Sequence, residues 1–221
     1  MTGGSPMVAA ALSGVPAGVQ SLGPWAGRRQ LFVRFAGEAE TATMYMATAL
    51  VREIDRQLAR SAFHSIVIGG RDALGNLAFL LAAFEAAKPT IPVMLDTDGQ
   101  RPELLGQLLP YLSLVQATVE FIGGEAMLDH AISTISVAAK GGCAHALALC
   151  PREDTTDSSM LRLVEEVHAV SAQTQVVIHP FLTGEANPML DRRWASLLEQ
   201  ASAVHADVRI ALRLPPPTGL R

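Results

Sequence analysis

The chain has 221 residues, of which 49% are hydrophobic and 17% are charged. Lys and Arg together number 17 and Asp and Glu number 21, which gives a formal net charge of −4. This composition is too apolar for an intrinsically disordered protein. A slightly acidic chain without a Lys/Arg run also does not suit nucleic-acid binding. We therefore expect a compact protein that binds no nucleic acid.

The first stretch in chain order, residues 1–18, is rich in Ala, Gly and Val. It predicts a flexible N-terminal arm ahead of a single domain over residues 19–221. Its apolar part, Met7–Val19, is too short to span a bilayer and is interrupted by Gly14 and Pro16. It also lacks the basic residues that open a secretion signal. No membrane contact is expected.

From Gln30 onward, short apolar runs alternate with longer amphipathic stretches. The predicted strands are Leu31–Phe35, Ser65–Ile68, Ile91–Leu95, Leu114–Phe121, Ala144–Leu149 and Gln175–His179. The predicted helices are Thr41–Arg60, Ala73–Lys88, Pro102–Leu109, Ala126–Lys140, Thr155–Ala172 and Asp191–His205. A last apolar run, Val208–Leu212, predicts a short terminal strand.

This alternation predicts an α/β fold of parallel βαβ units with right-handed crossovers. Six units are too few for the usual closed barrel of eight, so an open partial barrel and a doubly wound sheet both remain. In both folds ligands bind at the carboxyl edge of the strands. That edge should carry Gly37–Glu38, Gly69–Asp72, Asp96–Gly99, Glu120, Cys150–Asp154 and His179–Phe181.

The two cysteines, Cys143 and Cys150, lie at the ends of one predicted strand. Seven strand residues span roughly 23 Å, whereas a disulfide needs Cα atoms within about 7 Å. Two isolated thiols also make no zinc or iron–sulfur site without further ligands. Reduced thiols in a cytoplasmic protein are the plain interpretation.

Three segments at the predicted edge carry candidate site residues. Gly69 and Gly70 either expose backbone amides to a ligand or form a tight strand-to-helix turn. Asp96 and Asp98 could bind a hydroxyl, an amine or Mg²⁺, or could form a turn and cap a helix. His179 either titrates near neutral pH or is structural. These alternatives stay open at this point.

The segment GVQSLGPWAGRRQLFVRFAGEAETATMY resembles the opening of radical S-adenosylmethionine enzymes, especially 7-carboxy-7-deazaguanine synthases and the activating enzymes. Their pattern, QGEGPxxGxxxxFVRxAGC, is matched by Gly23, Pro24, Gly27, Phe32, Val33, Arg34, Ala36 and Gly37. IGGRDAL stands where the family has SGGEPLL, and LDTDG stands where it has LDTNG. The similarity extends from about Gln20 to Ile122. It implies a six-unit partial barrel of the (βα)6 type.

The chain departs from this pattern at functional positions. The three cysteines of the CxxxCxxC motif would fall at positions that hold Glu38, Ala42 and Tyr45. A four-iron cluster needs thiolates, which these side chains do not supply. Arg71 replaces an acidic residue of the loop that holds the cofactor, and Leu22 replaces the acidic residue of QGEG. The resemblance therefore implies a cluster-free member without reductive cleavage.

Two functions follow from this reasoning. The first is a ligand-binding or accessory protein to a biosynthetic enzyme. The second is an S-adenosylmethionine-binding enzyme that performs polar group transfer or lyase chemistry. The resemblance places the cofactor, S-adenosylmethionine if it still binds, at Gly69, Gly70, Arg71, Asp72, Asp96 and Asp98, and the ligand pocket at Arg34, Glu38, Tyr45 and His179.

The remaining expectations concern binding partners and the charged side chains at the carboxyl edge of the sheet. A small-molecule ligand is expected, a partner enzyme and a homodimer are left open, and no catalytic residue or metal site is assigned. Arg71 is expected either to form ion pairs with Glu38, Asp72 or Asp98 or to point into solvent.

Overall fold

The structure is a computed structural model that describes residues 8–121, 125–180 and 188–212. Its strands are β1 Ala9–Gly14, β2 Ala17–Val19, β3 Arg29–Phe35, β4 Thr43–Met46, β5 Ser65–Gly70, β6 Val93–Thr97, β7 Leu114–Val119, β8 His145–Leu149, β9 Gln175–Ile178 and β10 Val208–Ile210. Its helices are α1 Ala47–Arg60, α2 Leu77–Ala87, α3 Pro102–Leu108, α4 Glu125–Lys140, α5 Asp157–Val170 and α6 Pro188–Val204, with 3₁₀ turns at Ala73–Asn76 and Leu109–Tyr111.

The described residues form one ten-stranded sheet in the order β10-β9-β8-β7-β6-β5-β3-β1-β4, with β2 also paired to β3. Seven of these strands, β3 and β5 to β10, run parallel to one another. Strands β1, β2 and β4 are antiparallel additions at one margin. The predicted α/β class with six successive parallel βα units is confirmed, and the sheet does not close.

Side chains alternate between the two faces of each strand, and this alternation separates the core from the site. One face packs against the helices in two buried apolar clusters, which centre on Leu31 and Ile66 and on Leu147 and Ile178. The opposite face carries a smaller cluster of Val67, Met94, Leu114 and Ala146. Phe32 of β3 and Trp25 of the loop before β3 pack against this cluster. The loop before β3 thus takes the place that helices take on the other face.

The expected N-terminal arm is wrong for residues 9–18, because β1 and β2 are strands of the sheet. Ala10 and Leu12 are buried in the larger apolar cluster, and β1 pairs with both β3 and β4. The small residues in this segment suggested a flexible arm, but small side chains are also compatible with a strand that pairs with two neighbours. Residues 1–7 lie outside the described part of the chain.

The predicted helix Thr41–Arg60 also begins too early. Thr43–Met46 is the edge strand β4, whose residues pair with Ala9–Leu12, and α1 begins at Ala47. A pairing partner more than 30 residues upstream overrides the local helical pattern. Among the described residues, no helix has both the length and the apolar character needed to cross a membrane.

Candidate functional site

The carboxyl ends of β3, β5, β6 and β7 lie side by side and form the candidate site. Arg34 is in register with Gly69, and Asp96 is in register with Gln116. Because neighbouring residues in a parallel sheet point to the same face, side chains from four strands converge on the face that carries no helices. The expected meeting of these strand ends is confirmed.

Two clefts open at this edge and share the wall made by Gly70 and Asp96. The β2 cleft, of about 410 Å³, is lined by residues 16–21, Phe32, Arg34, Val67, Gly69, Gly70 and Asp96. The β7 cleft, of about 480 Å³, is lined by Leu22, Gly70, Asp96, Thr97, Asp98, Thr118 and Glu120. Each cleft is large enough for a small organic molecule.

Asp96 is the side chain common to both clefts. Its Oδ1 accepts hydrogen bonds from Thr118 Oγ1 at 2.6 Å and from Gln116 Nε2 at 3.1 Å. Burial raises the pKa of Asp96, while the bonds from Thr118, Gln116 and Gln20 oppose that rise and the charge of Glu120 adds to it. The Asp96 carboxyl therefore keeps its proton to a higher pH than an exposed aspartic acid would, so it can act as donor or acceptor.

The loop between β2 and β3 covers the polar side chains behind Asp96. Gly23 has φ of +73°, and a Cβ at this position would overlap Gln116 Oε1. The Gly23 amide donates to His179 Nε2 at 2.8 Å, so this nitrogen is the acceptor and Nδ1 carries the proton. Gly23 thus allows the loop to lie directly on β7 and on the residue after β9.

Gln116 Oε1, beneath Gly23, is a buried amide oxygen that has no hydrogen-bond partner among the described residues. A buried polar group without a partner costs free energy. Gln20, whose side-chain amide bonds to Asp96, also lines the β2 cleft.

The loop after β5 carries the Gly-Gly-Arg-Asp segment. Gly70 has φ of +93°, and its backbone packs against that of Phe35, so a side chain has no room there. Arg71 forms an ion pair with Glu38 at 3.0 Å, although both side chains are largely exposed. Asp72 is bound instead by Arg101 at 2.8 Å.

The sequence-predicted residues therefore separate into three groups. Those that line a cleft are Arg34, Gly69, Gly70, Asp96 and Asp98. Those on the rim outside the clefts are Glu38, Arg71 and Asp72. The expected ion pair of Arg71 with Glu38 is confirmed, whereas the carboxylate of Asp72 has a different partner.

Tyr45 and His179 lie outside both clefts. Tyr45 belongs to β4, where it pairs with Ala10 and packs against the apolar core, so its placement in the ligand pocket is wrong. Because β4 replaces the expected start of the helix, Tyr45 lies on an edge strand and not beside the two clefts. His179 is buried and accepts a hydrogen bond from the Gly23 amide.

Sequence reasoning missed Gln20, Gln116, Thr118 and Arg101. The first three surround Asp96, and Arg101 reaches across from the loop after β6. A signal for the β7 residues was present in LVQATVEF, where Gln116, Thr118 and Glu120 occupy every second position. That alternation indicates a polar face on the strand.

The cysteines lie apart from the clefts and from each other. Cys143 precedes β8 and Cys150 follows it, so they flank opposite ends of the strand. Burial raises the pKa of the Cys143 thiol. In the described ranges, no group of three or more His, Cys, Asp and Glu side chains has the arrangement of a metal site.

Comparison with solved structures finds 44 chains of similar structure. No protein-family model matches the sequence, and no curated protein is similar to it. The crystal structure of QueE from Escherichia coli superposes with a TM-score of 0.45 at 15% identity, over 76% of this chain and 93% of that chain. Likeness at this level identifies neither a family nor an activity, so the fold assignment rests on the strand order itself.

Proposed function

We propose that this protein binds a small polar ligand at the two clefts around Asp96 and serves as a ligand-binding or accessory protein in biosynthesis, without radical chemistry. One observation carries the proposal: the Asp96 carboxyl lies in the wall shared by both clefts. A small number of well-placed polar groups, carboxylates among them, orient small ligands in such clefts.

The residues at the positions of the family's cluster cysteines do not suit an iron–sulfur cluster. Glu38 is exposed and paired with Arg71, whereas Tyr45 is held in β4 against the core. Ala42 has no ligand atom in its side chain. Three positions that offer no thiolate support a cluster-free protein.

The charge of the clefts favours a ligand that carries a cation. Asp96, Asp98 and Glu120 all line the β7 cleft, and Arg34 borders the β2 cleft. An ammonium or sulfonium group would be attracted to the acidic cleft, and a carboxylate would be attracted to Arg34. S-adenosylmethionine combines these groups and is therefore the first ligand to test.

The alternative is an enzyme that uses S-adenosylmethionine in polar group transfer or a lyase step. The observation in its favour is the raised pKa of Asp96, since a carboxyl that titrates closer to neutrality suits general acid–base work. Asp96 would then hold or accept a proton at the shared wall of the clefts.

Titration calorimetry with S-adenosylmethionine and S-adenosylhomocysteine tests the proposal. The wild type should bind S-adenosylmethionine more tightly than the homocysteine analogue, which lacks the sulfonium charge. Asp96→Asn should weaken this binding about tenfold, equivalent to about 1.4 kcal/mol. Asp55→Asn, on the exposed face of α1, is the matched control and should bind like the wild type.

The outcomes separate the two functions. No heat with either compound would refute S-adenosylmethionine as the ligand. S-adenosylmethionine is incubated with the protein for a long time without reductant and is then measured by mass spectrometry. Binding without loss of S-adenosylmethionine supports the binding function. Formation of a transferred or eliminated product under these conditions, lost in Asp96→Asn, would replace it with the enzymatic alternative.

A further inference from the structure

An ion pair joins two neighbouring loops at the carboxyl edge of the sheet. Arg101 Nε, in the loop after β6, donates to the Asp72 carboxylate in the loop after β5, at 2.8 Å to Oδ1 and 3.0 Å to Oδ2. Gly70, two residues before Asp72, and Asp98, three residues before Arg101, both line the β7 cleft. The ion pair therefore connects two walls of one cleft.

Both members of the pair adopt the left-handed backbone conformation, with φ of +44° at Asp72 and +57° at Arg101. This conformation is unfavourable for residues with a Cβ, although Asp tolerates it better than Arg. The two side chains are 30% and 50% exposed, and exposed ion pairs contribute little to overall stability. Global stability is thus a poor explanation for this arrangement.

The loop after β6 is itself anchored to a helix. The backbone of Gly99 lies against that of Ala131 in α4, where a side chain on Gly99 would have no room. Thr134 Oγ1, also in α4, donates to the Gly99 carbonyl at 3.2 Å. Arg101 extends from this fixed loop toward β5.

The loop after β5 depends on Asp72 for its local structure. Asp72 Oδ1 accepts a hydrogen bond from the Gly75 amide at 3.1 Å and so caps the 3₁₀ turn at Ala73–Asn76. The same oxygen receives Arg101 Nε. Arg101 thus connects the start of this turn to a loop that is packed on α4.

We propose that Asp72 and Arg101 form a positioning clasp, which fixes the Gly70 wall of the β7 cleft relative to its Asp98 wall. The clasp deepens the proposed function and rests on it, because the cleft it positions is the proposed ligand site. Its effect on the loops is nevertheless measurable without any ligand. Neither residue is a catalytic residue in this proposal.

Hydrogen exchange on Arg101→Asn tests the clasp directly. Asn accepts the left-handed conformation, so the variant removes the guanidinium without adding backbone strain. Amide exchange in residues 73–77 should rise about tenfold, while the melting temperature stays unchanged or increases. Arg101→Lys should restore part of the protection because its ammonium can still reach a carboxylate.

Arg56→Ala is the matched control, because it removes an exposed ion pair with Glu53 on α1, far from the clefts. It should leave exchange in residues 73–77 unchanged. Unchanged exchange in Arg101→Asn would overturn the clasp. A fall in melting temperature as large as that of a buried core substitution would also overturn it, since the pair would then be a general structural contact.

Ligand binding separates the clasp from the proposed function. If the wild type binds S-adenosylmethionine, its affinity should fall severalfold in Arg101→Asn and stay constant in Arg56→Ala. Equal affinity in the wild type and Arg101→Asn would overturn the positioning role. If the wild type does not bind S-adenosylmethionine, the proposed ligand fails, and the exchange measurement alone decides the clasp.

Discussion

Gly23 is the residue on which the cover over the site depends. Its φ of +73° and its closeness to Gln116 Oε1 are two separate reasons for glycine. Gly27, in the same loop, has φ of +82° but open space around it, so it shares only the first reason. Substitution of Gly27 therefore tests backbone strain alone, whereas substitution of Gly23 tests backbone strain together with steric overlap.

Gly27→Ala should lower the free energy of unfolding by about 1 kcal/mol, the usual cost of a left-handed alanine. Gly23→Ala should cost more, about 2–4 kcal/mol, because the added methyl also displaces Gln116. Urea unfolding of the two variants measures the difference. Equal destabilisation would show that the loop does not lie against β7.

Asp96 should make the stability of the protein depend on pH. Burial raises its pKa above the ordinary value of 3.8, so the native state binds more protons than the unfolded state between 3.8 and the raised pKa. The free energy of unfolding then falls as pH rises through that interval, and the full penalty remains at higher pH. The effect is opposite to that of an ion-paired aspartate.

Asp96→Asn should therefore raise the melting temperature at pH 7.5, because a neutral amide avoids the cost of burying a charge and keeps an oxygen acceptor for Thr118. The gain should disappear as pH approaches 4. Thermal scans across this range, with Asp55→Asn as the control, provide the measurement. A gain that grows at low pH would contradict the assignment.

At the scale of elements, the antiparallel margin is as much a part of the core as the parallel strands are. Leu12 of β1 is fully buried, whereas Met44 of the edge strand β4 is 66% exposed.

Leu12→Ala should lower the free energy of unfolding by about 2–5 kcal/mol, as for other buried leucines. Met44→Ala should change stability by no more than about 0.5 kcal/mol. Denaturant unfolding distinguishes them, and a mild Leu12→Ala would restore the flexible-arm interpretation.

The sequence predicts the parallel strands well because each one combines a continuous buried run with a following helix of suitable length. It does not predict β1 and β4, since their pairing joins Ala9–Leu12 to Thr43–Met46 across the whole of β2 and β3. No local pattern encodes such a contact. The misplacement of Tyr45 follows from this same error.

The sequence predicts only those site residues that lie at the ends of strands. Asp96, Gly69 and Gly70 follow from the rule that parallel strands bind ligands at their carboxyl edge. Arg101 and Gln20 do not follow from it, because their roles depend on how loops fold back over neighbouring strands. The glycines of the resemblance mark the turns correctly, but they do not say which side chains those turns bring together.

At the scale of the whole molecule, the two faces of the sheet differ in what packs against them. One face is devoted to helix packing, and the other is covered near its centre by the loop of Trp25 and left open at the edge beside Asp96. A ligand site therefore needs no second domain in this architecture. The core and the clefts use alternate residues of the same strands.

The last prediction concerns iron. After anaerobic incubation with iron and sulfide, the wild type should stay colourless and contain no stoichiometric iron. Its two thiols flank opposite ends of β8, roughly 23 Å apart if the segment is extended. A four-iron absorbance that chelators remove would contradict this expectation.

A variant with three new cysteines, Glu38→Cys, Ala42→Cys and Tyr45→Cys, makes the test sharper. Position 38 lies on the rim beside Arg71, but position 45 is held in β4 by its pairing with Ala10. Cysteines at these positions would not converge unless β4 left the sheet, so iron content measured after the same treatment should remain low. A stable cluster in this variant, with β1 and β4 still protected from hydrogen exchange, would show that thiolates alone were missing. Low iron in both proteins would instead show that the backbone, with Thr43–Met46 held in β4, does not bring positions 38, 42 and 45 together.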